Sequence, residues 1–173
     1  MPKPVEVTTP SDREVVVTRT FDAPAKLVWD AHTRPELIRR WLIGQPGWSM
    51  PYCVVDLRVG GKYRYVWRNE ADGAEFGSHG EHLEIERHAR LVTTEWMDGL
   101  DGQPIDHANP LEVGDPSVNT LTLVESGGRT TLTMSMVFPS AEARDMAVGS
   151  GMSDGMAMSY DMLDGVLGSQ TVG

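Results

Sequence analysis

The chain has a single cysteine, Cys53, among its 173 residues. It cannot close an internal disulfide, which suits a reducing compartment and a cytoplasmic address. Long apolar runs are missing too. No stretch is long enough to cross a bilayer, and the opening residues lack the basic-then-apolar order of a secretory signal. Positive charge is scarce: 15 Lys and Arg face 25 Asp and Glu, a formal charge of −10. Such a surface repels phosphate backbones and anionic lipid, so nucleic-acid binding and membrane insertion are not expected. Internal repeats and low-complexity segments are also lacking.

What is present describes an ordinary globular chain, 40% hydrophobic and 23% charged. At this length the prior is one domain, placed here over 13–168 behind a flexible, Pro- and Thr-rich arm, 1–12. Arg13 to Phe21 alternates and is β-branched, the mark of a strand. Two short helices follow. One spans Ala23 to Ala31, with Asp22 as N-cap and Pro24 at its first turn; the other spans Arg34 to Trp41. Gly44 to Pro51 reads as a loop, then three hairpins. Tyr52–Leu57 pairs Lys62–Arg68 across Gly60-Gly61. Gly77–Glu86 pairs Leu91–Met97, and Val118–Glu125 pairs Arg129–Phe138. Between the last two, Asp98 to Pro116 has no periodicity, and a loop of that length is uncommon unless it is functional or disordered.

The C-terminal stretch organises the rest. Ser140 is a plausible N-cap for a short helix, and Gly149-Ser150-Gly151 breaks it. A longer helix then runs from about Met152 to Leu167. Val148, Met152, Met156, Ser159, Tyr160, Leu163, Val166 and Leu167 share one stripe, with Asp154, Asp161 and Asp164 opposite. One helix cannot cover both faces of a seven-stranded antiparallel sheet. The expected fold is therefore α+β, with the sheet curled around the long helix and its convex face wet. The stripe alone reads as filled core before the roof of a cavity.

Strand period then assigns side chains to the inner face. Cys53, Val55 and Leu57 should join Tyr63, Tyr65 and Trp67 there, while Arg58, Arg64 and Arg68 point to solvent. Leu83 and Ile85 mark the inner side of the next strand, and Val92, Thr94 and Trp96 that of its partner. The same parity sends His79 and Glu81 inward. Met134, Met136, Leu132 and Phe138 point in opposite Leu121 and Leu123. With Trp41, Met152, Met156 and Tyr160 this makes an apolar, aromatic wall suited to a small molecule. His79 and Glu81 are its candidate catalytic pair, an imidazole beside a carboxylate that can trade protons. The plain alternative places both at the sheet's open end, bonded to loops or water. Cys53 has apolar neighbours and no adjacent base, so it reads as core before nucleophile. His79 and His82 fall on opposite strand faces, so no metal site is expected. No cofactor is expected either.

Four stretches carry a resemblance. FDAPAKLVWDAHTRPELIRRW (Phe21 to Trp41), RVGGKYRYVW (Arg58 to Trp67), GEHLEIERHARLVTTEW (Gly80 to Trp96) and GMSDGMAMSYDMLDGVL (Gly151 to Leu167) are similar to the START-like (SRPBCC, birch-pollen-allergen-like) superfamily. Within it they resemble the branch related to the activator of the heat-shock protein 90 ATPase, with polyketide-cyclase-like members. The resemblance implies a helix-grip fold and a hydrophobic cavity between sheet and terminal helix. It leaves three functions open. These are a carrier for an aromatic or lipid-like small molecule, an enzyme of cyclase or hydrolase type on such a ligand, and a co-chaperone-like interaction module. The additional N-terminal domain of those activators is not seen here, which weighs against the third. Homodimerisation is left open.

Overall fold

The structure is a computed structural model and describes residues 5–43 and 45–172. Eight strands form one antiparallel sheet: β1 (Glu6–Thr8), β2 (Glu14–Phe21), β3 (Trp48–Val55), β4 (Lys62–Asn69), β5 (Glu75–Glu86), β6 (Arg90–Asp98), β7 (Ser117–Ser126) and β8 (Arg129–Val137). Their spatial order is β1-β2-β8-β7-β6-β5-β4-β3. The helices are α1 (Ala25–Thr33), α2 (Pro35–Trp41), α3 (Ala141–Gly149) and α4 (Met152–Val172). This is the α+β helix-grip arrangement, with one strand more than expected. The extra strand is β1: Glu6–Thr8, read from composition as part of a flexible arm, pairs with β2 as an exposed edge.

Local chemistry explains most boundaries. Pro35 opens α2 at its first turn, where a missing N–H costs nothing. Ser140 caps α3 by accepting a hydrogen bond from the Ala143 amide at 3.0 Å. Gly151, at φ +82°, turns the chain between α3 and α4. Other boundaries differ from expectation. Pro24, not Asp22, sits at the N-cap of α1 and offers no side-chain acceptor; Asp22 instead pairs with Arg129 at 2.8 Å. The 44–51 segment is not all loop, because β3 begins at Trp48 and carries an irregularity between Ser49 and Tyr52 that period counting does not see.

The inner face of the sheet is the one that meets α4. On β2, Val15, Val17, Arg19 and Phe21 alternate inward and are buried. With Leu132 and Met136 of β8, Leu121 and Leu123 of β7 and Leu91 of β6, they join Tyr160, Leu163, Val166 and Leu167 of α4 in one core. Val148, placed by periodicity on the same stripe, belongs to α3 and is exposed. The glycine break interrupts the stripe there. Arg19 is a charged residue buried in this core. Its side chain is fully buried, donates to Asp164 at 2.7 and 3.3 Å and to Asp161 at 3.1 Å, and lies 4.7 Å over the Phe21 ring. It fastens β2 to the terminal helix.

The opposite face of β4 to β6 is not wet, contrary to expectation. Residues 99–116 fold back over it. Arg64 points outward as its parity requires, yet it is buried. Its guanidinium holds Asp98 by two bonds, 2.6 and 3.0 Å, and donates to the Asp106 and His107 carbonyls at 2.8 and 3.0 Å. Gly77 makes room for it, since a Cβ there would stand 2.3 Å from Arg64 Nη1. His107 bonds Glu75 at 2.9 Å, and Trp96 donates to the Gly114 carbonyl at 3.0 Å.

Candidate functional site

The register of β5 decides which residues face α4. Residues paired across antiparallel strands share a face. Up to His82 the pairing runs Tyr65 with Ser78, Tyr63 with Gly80 and His82 with Thr93. Between His82 and Glu84 a bulge adds one residue, after which Ile85 pairs with Leu91. Leu91 pairs with Leu121 of the core, so Ile85 is inward as expected. The bulge reverses parity before it. Ser78, Gly80 and His82 therefore point inward, and His79 and Glu81 point away from α4.

This corrects the inward placements made on β6 and on β5 before the bulge. His79 pairs with Trp96 and Glu81 lies in register with Lys62, all on the outer face. Val92, Thr94 and Trp96 lie there too, because on β6 it is Leu91, Thr93 and Glu95 that face inward. His79 is buried against Trp96, the rings stacked 5.5 Å apart, and neither ring nitrogen has a hydrogen-bond partner. Burial, and then Arg64, lowers its pKa below the usual histidine value. No hydrogen bond joins His79 to Glu81. Trp96 also launches residues 99–116 across the outer face rather than from the rim of the inner one.

The other side chains divide into two groups. Trp41 and Tyr160 are buried and stacked on each other at 5.9 Å, with Phe21 edge-on to Tyr160 at 5.6 Å. The Trp41 indole donates to the Ala31 carbonyl at 2.8 Å. This half of the interior is filled. Cys53 is buried with Ile38 and Met50 beneath α2, and burial pushes its thiol pKa up to about 11. It is a thiol packed in core, not a nucleophile. Met136 is buried, while Met134, Met152 and Met156 are half-buried at the margin of the core.

Toward β3 to β6 the inner face opens. Tyr63, Tyr65, Trp67, Phe76 and Trp48 form a continuous row of rings, with successive centroids 5.0, 6.0, 5.1 and 5.5 Å apart. Val55 shares their face opposite Tyr63. Tyr65 and Trp67 are half-buried. The Tyr63 hydroxyl donates to the Thr94 carbonyl at 2.7 Å and the Trp67 indole to the Leu42 carbonyl at 2.6 Å.

Period counting missed the polar group on this face. Glu95 is inward and half-buried; it accepts from Ser78 Oγ at 2.7 Å and from Asn119 Nδ2 at 3.2 Å. Asn119 Oδ1 is buried with no hydrogen-bond partner. Burial pushes the Tyr65 hydroxyl pKa well up, and the charges of Cys53 and Glu95 add to it, which sets Glu95 in the electrostatic field of the ring row. Taking Leu91 rather than Val92 as the inward residue of β6 would have found Glu95; with both apolar, the sequence favours neither. A separate crevice of about 190 Å³ at the C-terminal end of α4 is lined by Asp22, Asp164, Leu167 and Gly168. Both its carboxylates already hold arginines and it has no aromatic wall, so the ring row is the better candidate.

An open antiparallel sheet closed on one side by two short helices and a long terminal helix defines a member of the SRPBCC superfamily. Within it, residues 22–168 match the family described as activator of Hsp90 ATPase homolog 1-like protein, and the chain belongs to that family. Among solved structures, a Rhodobacter sphaeroides protein is 28% identical, with TM-score 0.81 over 96% of this chain and 99% of its own. Proteins of Mycobacterium smegmatis and Nitrosomonas europaea, each 23% identical with TM-score 0.79, share the fold over 95% of this chain and 97% and 100% of theirs. No curated protein matches. Among the described residues no helix is long and apolar enough to cross a membrane.

Proposed function

We propose that the protein binds a hydrophobic small molecule on the inner face, between the Tyr63–Tyr65–Trp67 row and the Met152–Met156 end of α4. The observation that carries this reading is the aromatic row, half-buried at Tyr65 and Trp67, with a hydrogen-bonding carboxylate, Glu95, and a few other polar side chains beside it. Apolar walls supply affinity and a few placed polar groups supply orientation, the usual division in small-molecule sites. Family membership supports the same reading, since the resemblance implies a hydrophobic cavity at this place.

Titration with N-phenyl-1-naphthylamine, a neutral fluorescent hydrophobe, tests it. Saturable binding is expected in the wild type, and Met156→Trp should abolish it while the circular dichroism spectrum is unchanged. Undiminished binding by a folded Met156→Trp protein would remove the α4 wall from the site. An unfolded variant would mark filled core at Met156, where overpacking costs about 1–3 kcal/mol, and count against an open groove.

A further inference from the structure

Resting on that binding reading, we propose that the ligand is an organic cation, a protonated amine on an apolar or aromatic body, and that Glu95 selects it. Three features of the inner face support this independently.

The first is an excess of acceptors. Glu95 offers two carboxylate oxygens, each with spare lone pairs after one bond from Ser78 Oγ and one from Asn119 Nδ2. Asn119 adds a buried carbonyl oxygen with no partner. Three donors close by are committed: Ser78 to Glu95, the Tyr63 hydroxyl to the Thr94 carbonyl, the Trp67 indole to the Leu42 carbonyl. A ligand that brings N–H donors completes this set, whereas one that brings acceptors meets lone pairs.

The second is uncompensated charge. Three half-buried carboxylates elsewhere hold cations: Asp98 has Arg64, Asp164 has Arg19, and Glu75 has Arg68. Glu95 has no ion-pair partner among the described residues. A carboxylate withdrawn from water beside apolar rings gains most from a cation that arrives with its own apolar body.

The third is the ring row itself. Tyr63, Tyr65 and Trp67 present π-faces and edges along the strand beside Ser78 and Gly80, the residues that flank Glu95. Aromatic faces attract an ammonium group within about 6 Å of a ring centroid, and the attraction grows when water is excluded. Such rings add to the carboxylate's pull on a cation and offer nothing comparable to an anion.

Three probes of one shape separate the possibilities: 2-naphthylmethylamine, cationic at pH 7; 2-naphthylmethanol, neutral; and 2-naphthoate, anionic. Calorimetric titration of the wild type should rank amine over alcohol by about tenfold or more, since a hydrogen bond to a charged group is worth about 1.5–3 kcal/mol, with naphthoate weakest. Glu95→Gln should bring the amine down to the level of the alcohol and change the alcohol by no more than about twofold. Equal binding of all three by the wild type would overturn the cation assignment and leave the hydrophobic site standing. Binding of none would overturn both. An amine preference that survives in folded Glu95→Gln would remove Glu95 as the selector. The wild-type ranking needs no variant, so the cation assignment is open to disproof even if Glu95→Gln does not fold.

Discussion

Asp98 and Glu95 stand three residues apart on β6, on opposite faces of the sheet, and are treated in opposite ways. Asp98 is clamped by the buried Arg64, which also gathers two carbonyls of the 99–116 segment. Glu95 is held by a hydroxyl and an amide, with no cation. One face of the strand has solved its electrostatic problem internally. On the proposed reading, the other leaves it to the ligand. The difference separates a carboxylate used as architecture from one available for recognition, and it can be tested.

The strongest test is Arg64→Met, which leaves Asp98 buried without its cation and should cost about 3–5 kcal/mol in urea unfolding. If removing Arg64 were nearly neutral, the outer carboxylate would be no better supported than the inner one, and the contrast would fail. Acid probes the same structure without mutation. His32 donates from Nδ1 to the Val28 carbonyl at 2.7 Å and lies against Trp41. Burial lowers its pKa to about 4 from the ordinary 6.5. Between those values the folded state binds fewer protons than the unfolded one. Its stabilising contribution is complete above about pH 6.5 and is lost as pH falls towards 4, a change on the order of 3 kcal/mol. His79 and His82, also lowered by burial, act in the same direction. Denaturation midpoints at pH 7 and pH 4.5 would show the loss; a flat profile would contradict the buried, neutral imidazoles.

Gly80→Ala tests the inner side. Its Cβ would fall 1.9 Å from the Thr94 carbonyl oxygen, so backbone must shift, at about 1–3 kcal/mol. Hydrogen exchange should rise around Glu95 while the amides of the Arg64 clamp stay protected. The smallest effect belongs to Glu95→Gln. Gln keeps one accepting oxygen, its NH2 can donate to the Ser78 hydroxyl oxygen, and no ion pair is broken, so the expected change in stability is under about 1 kcal/mol. A loss as large as that from Arg64→Met would make Glu95 architectural after all.

Much of the fold could be read in advance because its signals are local. The glycine break before α4, the Ser140 cap and the Pro at the start of α2 each act within a turn, and each appears where it was expected. The aromatic row was legible too, since β4 alternates without irregularity and its pairing with β3 keeps Cys53, Val55, Tyr63, Tyr65 and Trp67 on one face. The polar part of the site was not. A β-bulge costs one residue and leaves no compositional mark in EHLEIE, yet it inverts every assignment made across it. Leu83 was read as inward from its apolar side chain and lies exposed, while His79 and Glu81 went to the wrong face with it. The cover over Arg64 was equally hidden, because residues 99–116 have no periodicity and are held through backbone carbonyls that any sequence carries.

The Arg19 staple bears on how the chain reaches this structure. Its bonds span 142 and 145 residues, from the second strand to the last helix. Contacts so distant in sequence carry a high loop-closure cost and form late. On a ribosome, β2 emerges more than a hundred residues before β8 and α4 and cannot pair or dock until they have been made. Until then, Val15, Val17 and Phe21 are an apolar strand face with no cover, a surface for chaperones or for misassociation with a neighbouring nascent chain. Arg19, set among them, keeps that edge charged and hydrated until Asp161 and Asp164 arrive. The same side chain that closes the finished fold thus guards the unfinished one.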